Sequence, residues 1–315
     1  MTDTPIPAPT PERLVAGLVR LLTVEPDEAE GGAHFIGRPQ KGGHGRVFGG
    51  QVVAQALQAA QAQAPDGMEA HSLHAYFLRG GREGPPIGYR VASDFTGRSF
   101  ANRRVVASQR EDGDGQAIPI LNLTASFQRP EDGLSHDEYA MPQVTPPEEL
   151  PSDMETRRRF IEQFGEVTKA QRAIMLRPRP IEMRTSDKLH WMNADPKPPA
   201  SHSWFRTAAP LAGDADTPAM HRAIIAYASD YTLLGTAALP HGLSWMRGEL
   251  NGASLDHAVW FHRPARADEW LLYATDSPWS GGGRGYNRGR IFDREGRLVA
   301  SVAQEGVIRR RRPKA

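Results

Sequence analysis

The chain has 315 residues, enough for one large domain or two of about 150 each, and two fits the length better. Apolar residues at 39% and charged residues at 24% give an ordinary globular balance, and a formal net charge of +1 offers no electrostatic case for nucleic acid or an anionic membrane. The absence of cysteine excludes disulfides, thiolate metal centres and cysteine nucleophiles.

The opening stretch MTDTPIPAPTPERL is polar and proline-rich, unlike a signal peptide. No apolar run approaches the ~18 residues of a membrane span. The final Pro313-Lys314-Ala315 is not a peroxisomal S-K-L address, so a cytoplasmic protein without a membrane span is expected. Leu14, Val15, Leu18, Leu21 and Leu22 fall at helical spacing, which predicts an amphipathic helix over 12–22, followed by a strand near 34–37. In HGRVFGGQVVAQALQAAQAQA the glycines match neither phosphate-loop pattern, and Gly49 and Gly50 read as close packing at the start of a helix buried on most sides. Strand-like runs at 71–78, 87–95, 98–109 and 118–128, the later ones separated by short glycine-containing turns, predict antiparallel hairpins. Residues 129–153 are rich in proline and acid and read as a linker, after which Ser152 and Glu155 form a capping box for a helix over 154–169.

The second half repeats this plan. Strands are expected at 181–184 and 203–207, then Thr217-Pro218 opens a second apolar helix running to Leu239, then strands at 254–262, 269–275, 284–292 and 298–308. Particular residues recur in order: Gly97, Arg98, Phe100, Arg104 and Val105 fall against Gly283, Arg284, Tyr286, Arg290 and Ile291. AYFLRG matches VWFHRP at an offset of 184, and LTASFQ matches VASVAQ, setting Gln128 against Gln304 at 176. An internal duplication follows, each copy a helix wrapped by antiparallel strands, which is an α+β arrangement. No G-x-S-x-G elbow or alternating βαβ pattern supports an α/β-hydrolase.

In ASLDHAVWFHRP, Ser254, Asp256 and His257 are the residue types of a serine-hydrolase triad. Alternation along a strand places His257 on the face opposite Ser254 and Asp256, which argues against a compressed triad. Asp230 is the one acid between Ala223 and Leu239 of the second apolar helix. A buried carboxylate there is either hydrogen-bonded and structural, or a base whose basicity burial has raised. Aligning GGQVVAQAL with ASDYTLLGT puts Gln51 at the place of Asp230, and Ser254 has Ala70 or His71 near its place, so one working site and one degenerate site are expected.

The stretches HGRVFGGQVVAQAL, HSLHAYFLRGG, GRSFANRRVVASQ, LTASFQ, YASDYTLL, SLDHAVWFHRP, DEWLLY and SVAQEGVIR, in order from about Leu14 to Arg309, resemble the type-II acyl-CoA thioesterases. The resemblance implies a double hotdog fold, with an N-terminal hotdog over 1–130 carrying the degenerate site, a linker with a helix over 131–170 and a catalytic hotdog over 171–315. It also implies an active site of Asp230, Ser254 and Gln304, an acyl-CoA substrate, hydrolysis to free fatty acid and coenzyme A, and a homo-oligomer, with no resident cofactor or metal. Serine stands at 254 where a branch of the family has threonine; the hydroxyl is kept and the stiffening methyl lost. Water attack with Asp230 as base, and Ser254 and Gln304 holding the water, is the mechanism expected. A non-catalytic acyl-CoA binder is the alternative. A hotdog hydratase would need a histidine five residues after Asp230, where Gly235 stands. Arg263, Arg284 and Arg288 read equally as coenzyme A phosphate contacts and as solvated or ion-paired residues, Asp256 and His257 as structural, Trp260 and Phe261 as core, and His71 with His74 as too little for a metal.

Overall fold

A computed structural model describes residues 8–40, 45–110, 115–164, 167–185, 187, 195–243, 245 and 247–311. The expectations for the N-terminal MTDTPIP and for the last four residues lie outside them. In chain order the elements are α1 (Pro11–Leu22), β1 (Val24–Pro26), β2 (His34–Gly37), α2 (Gly49–Gln61), β3 (Glu69–Phe77), β4 (Ile87–Thr96), β5 (Phe100–Arg110) and β6 (Ala117–Gln128). The second half adds α3 (Asp153–Phe164), α4 (Lys169–Met175), β7 (Ile181–Arg184), β8 (Ala200–Thr207), α5 (Pro218–Ser229), α6 (Leu233–Thr236), β9 (Leu250–Ser254), β10 (Asp256–Phe261), β11 (Leu271–Gly281), β12 (Arg284–Phe292) and β13 (Leu298–Arg310).

The strands join into one antiparallel sheet in the order β1-β2-β4-β5-β6-β3-β10-β13-β12-β11-β8-β7, with β9 on β13. Alternating burial along β5, β6, β12 and β13 gives it one apolar face, and that face wraps α2 and α5. Ten of the thirteen α2 residues are buried, among them Ala54, Ala56, Ala59 and Ala60, whose small side chains let sheet and neighbouring helix approach on several sides. The two helices run past each other in opposite directions, Gly50 meeting the Tyr227 carbonyl and Gln58 meeting Met220. This is the double hotdog.

The duplication is visible in the register. The offset of 184 makes Ala258 the counterpart of His74, and these two are Cα partners across the β3–β10 junction, so the two-fold relating the copies passes through that pair. His74 pairs with Thr124 on β6 as Ala258 pairs with Ala303 on β13. The counterpart of Gln304 is therefore Ala125, one residue on, and not Gln128. Gln128 ends β6 and donates to Glu131 at 3.1 Å on the surface. By the same register His257 corresponds to Leu73.

Three further expectations change. The second apolar helix is not continuous to Leu239: α5 ends at Ser229, Asp230 is its C-cap, and a separate short α6 follows. Gln51 lies in the first turn of α2, so it is not the counterpart of Asp230 at the far end of α5. The stretch 129–153 is not a free tether, because Met141, Val144 and Leu150 pack against Trp204, Trp270 and Phe292, and the Thr145 carbonyl accepts from the Trp204 indole at 3.0 Å. The Ser152–Glu155 capping box opens α3 as expected. The helix expected over 154–169 ends as α3 at Phe164, and a second capping box, Thr168 with Gln171, opens α4, a helix not expected from the sequence.

Candidate active site

The strand expected over 254–262 is interrupted at Leu255, and the interruption builds the site. Ser254 pairs with Gly306 and Ala258 pairs with Ala303, so four steps on one strand oppose three on the other. One extra residue is a β-bulge, and it resets the alternation. Ser254 shares the inner face with Gly306, while His257 and Val259 are buried on that same face further along. Alternation alone put His257 and Ser254 on opposite faces; the bulge brings them to the same one. Asp256 points outward and accepts from the Glu305 amide at 2.6 Å, a structural role.

Asp230, Ser254 and Gln304 converge. Gln304 Nε2 donates to Asp230 Oδ1 at 2.7 Å, and the Ser254 hydroxyl and the Gly50 backbone N–H also hydrogen-bond the carboxylate. Only 6% of the Asp230 side chain is exposed. Burial raises its pKa to about 6, against the opposing pull of those three donors. Its place between two helix ends matters too: the Asp230 backbone N–H caps the C-terminus of α5 by donating to the Ala228 carbonyl, while its carboxylate faces the N-terminus of α2, whose own N-cap, Phe48, provides no side-chain cap. Asp230 thus supplies, from the other copy, the acceptor that the first turn of α2 lacks.

The approach needs the glycine pair. A Cβ on Gly49 would stand 2.8 Å from Asp230 Oδ2, and one on Gly50 would stand 2.5 Å from the Tyr227 carbonyl oxygen. The close-packing reading of Gly49 and Gly50 holds, and the partner is the site itself.

Behind the carboxylate lies a residue that the sequence reading set aside. His257 is fully buried, its Nδ1 3.0 Å from Gln304 Nε2 and its Nε2 2.8 Å from Ser229 Oγ. Desolvation lowers its pKa to about 4, so the ring is neutral. Ser229 carried no sequence signal beyond its place beside Asp230.

In front lies a cleft of about 630 Å³ between the two halves, lined by Gly49, Phe77, Asp230, Leu234, Trp245 and Ser254, with Arg46 and Arg79 also on its wall. Gln304 is fully buried behind the carboxylate, and its Nε2 reaches Asp230 Oδ1. A second hollow of about 880 Å³ shares Arg46, Phe48 and Tyr231 with the first and adds Arg177 and Arg179. Arg263, Arg284 and Arg288 are ion-paired with Asp137, Glu305 and Asp276 respectively. Phe261 is core, whereas Trp260 is half-buried and edge-on to His74, and His71 is bonded to Ser126. Among the described residues no cluster of metal-ligating side chains occurs, and no helix is long and apolar enough to cross a membrane.

Comparison with known proteins gives a consistent result. A family model described as the acyl-CoA thioesterase N-terminal domain matches residues 38–128, and one described as the acyl-CoA thioesterase C-terminal domain matches 147–308. The chain is 38% identical to acyl-coenzyme A thioesterase 8 of Homo sapiens over 303 residues, covering 94% of this chain and 89% of that one. It is 37% identical to acyl-CoA thioesterase 2 of Haemophilus influenzae, covering 87% and 92%. Among solved structures, the acyl-CoA thioesterase II TesB2 of Mycobacterium marinum superposes with a TM-score of 0.70 at 36% identity, covering 94% and 99%. A protein of unknown function with a hot dog fold from Alicyclobacillus acidocaldarius gives the same TM-score at 18% identity, a likeness of fold alone. The chain, with two hotdog copies and a buried carboxylate at their junction, belongs to the type-II acyl-CoA thioesterase family.

Proposed function

We propose that the protein hydrolyses fatty acyl-CoA to free fatty acid and coenzyme A, with Asp230 as the base. The observation that carries this is a carboxylate with pKa about 6, opening onto a cleft between the halves and held there by Gln304, Ser254 and the α2 N-terminus. At neutral pH such a group is ionised and still basic enough to draw a proton from water. A thiol ionises near pH 8.5, so the departing sulfur needs little help, and the work lies in orienting the water and stabilising the oxyanion.

Asp230 takes the proton from water. Ser254, which both lines the cleft and bonds the carboxylate, provides the second contact to that water. Gln304 acts on the carboxylate from behind. The apolar wall of Phe77, Leu234 and Trp245 suits an acyl chain, and the arginines of the two adjoining hollows, Arg46, Arg79, Arg177 and Arg179, suit the phosphates of coenzyme A.

A thiol-release assay on a series of acyl-CoA chain lengths tests the reading, and a chain without cysteine gives no background of its own. The parent releases thiol and Asp230→Asn does not. Binding without release in the parent would favour a non-catalytic acyl-CoA binder instead. A hydratase reading gains nothing from His257, which sits 3.9 Å from Asp230 but is fully buried and outside the cleft.

A further inference from the structure

We propose that His257 and Ser229 are positioning residues for the hydrolysis: a one-way hydrogen-bond chain anchored on the Ala226 carbonyl keeps the nitrogen of the Gln304 amide toward Asp230. The proposal rests on the reading of Asp230 as the base.

The direction of the chain follows from its first link. Ser229 Oγ lies 2.9 Å from the Ala226 carbonyl oxygen and 2.8 Å from His257 Nε2. A carbonyl can only accept, so the single hydroxyl proton goes to it, and Oγ is left to accept from Nε2–H. A neutral imidazole protonated on Nε2 has a bare lone pair at Nδ1. That lone pair faces Gln304 Nε2 at 3.0 Å, and the same nitrogen faces Asp230 Oδ1 at 2.7 Å. Both amide hydrogens are thereby assigned.

The opposite orientation has something to gain, which is why a device is needed. Gln304 Oε1 is buried with no hydrogen-bond partner. With an ionised Asp230, turning the amide sets Oε1 against a carboxylate, and the amide stays put. Once Asp230 has taken a proton from water, an amide without His257 would turn, accept that proton at Oε1 and trap it on Oδ1. The lone pair at Nδ1 opposes the turn. The proton then stays on Oδ2, the oxygen nearest Gly49 on the cleft wall. In the full cycle the water oxygen bonds the carbonyl carbon, its proton goes to Oδ2, the C–S bond breaks, and the thiolate collects the proton from Oδ2. The duplication agrees with a functional role: His257 and Gln304 correspond by register to Leu73 and Ala125, so the other copy folds around apolar residues at both positions.

The test compares Ser229→Ala, His257→Leu, His257→Asn and Asp230→Asn with the parent, measuring kcat, KM and the pH profile over about pH 5 to 9 by thiol release. Ser229→Ala frees the ring to carry its proton on Nδ1, and His257→Leu removes the acceptor. Each is expected to lower kcat about tenfold, the size of one hydrogen bond, with KM within about twofold. The acid limb of the profile moves to higher pH, since the protonated carboxyl then gains an acceptor, the turned Gln304 Oε1, that the parent denies it. The titratable and charged groups that face the carboxylate are His257 behind it, Tyr273 under Ser229, and Arg46, Arg79 and Tyr231 on the cleft wall. His257→Asn, with an amide oxygen near the place of Nδ1, recovers most of the lost kcat. A packing role alone would lower the melting temperature and leave kcat and the limb of the folded protein unmoved. That outcome in Ser229→Ala, with Asp230→Asn inactive, overturns this proposal by itself, and Ser229→Ala decides it even where His257→Leu does not fold. Full turnover in Asp230→Asn overturns the base and this proposal together.

Discussion

Replacing Gly49 with alanine separates the demands of the helix from those of the site. Gly49 is the first residue of α2, where alanine gains less over glycine than the about 1 kcal/mol of a helix interior, and its φ lies outside the left-handed region, so the backbone has no objection. The new Cβ, however, would stand 2.8 Å from Asp230 Oδ2 and 3.0 Å from Phe77 Cζ, where ordinary contact begins at 3.4 Å. The carboxylate must retreat by about 0.6 Å. It cannot do so freely, because Gln304 holds Oδ1 at 2.7 Å and the Gly50 N–H, on the same turn, holds the carboxylate from the front. Losing one hydrogen bond to a charged group costs about 1.5–3 kcal/mol, which corresponds to a fall in kcat of about 10- to 100-fold. The helix gain offsets part of the steric cost, so the melting temperature stays close to the parent value. Thiol release at saturating substrate, beside a thermal melt, measures both. A folded Gly49→Ala with parental kcat would refute the reasoning, because it would mean that the distance between α2 and Asp230 is irrelevant to turnover.

The parent's kcat/KM is expected to fall as pH drops through about 6, where Asp230 takes up its proton. Asp230 also makes stability depend on pH in the opposite sense from a paired carboxylate. Its pKa rises from 3.8 unfolded to about 6 folded, so the folded state binds more protons, and stability is fullest below 3.8 and declines as pH rises through 6. Asp230→Asn, which mimics the protonated form, should therefore melt higher than the parent above pH 6, by at most about 3 kcal/mol, with the difference vanishing below pH 3.8. Equal melting of the two at pH 8 would count against the buried carboxylate. Arg288→Ala breaks an exposed pair with Asp276 and should leave KM within about twofold, whereas Arg46→Ala, on the wall of both hollows, should raise KM for acyl-CoA; the reverse ranking in steady-state kinetics would move the phosphate contacts to the sheet surface.

Much of this was legible in the sequence because it is written in local pattern. The two nearly all-apolar helices, the hairpin meander and the repeated order of motifs define the fold, and the resemblance named Asp230, Ser254 and Gln304, which the structure brings together. What was not legible depends on counting across strands. Matching LTASFQ to VASVAQ by letters set Gln304 against Gln128, but the hydrogen-bond ladder sets it against Ala125. The bulge at Leu255 has no signature in Ser254-Leu255-Asp256, and without it the alternation rule misplaces His257 relative to Ser254. The break after Ser229 was hidden for a different reason: apolar residues on both sides of Asp230 keep the helical pattern going, and only tertiary packing ends α5 there.

The N-terminal copy lacks the polar chain, yet the site is incomplete without it. Leu73 and Ala125 stand where His257 and Gln304 stand in the other copy, so it has no carboxylate network of its own. What it contributes is the first turn of α2, which packs against the end of α5 because Gly49 and Gly50 have no side chains. The N-terminus of a helix favours negative charge, and here it faces both Asp230 and the cleft. Under the proposed hydrolysis, the same dipole would suit the charge that gathers on a thioester oxygen during attack. The division of labour follows from the two-fold: antiparallel packing of α2 on α5 sets the N-terminus of one helix against the C-terminus of the other. Asp230 stands at one of the two such junctions, where α2 begins and α5 ends.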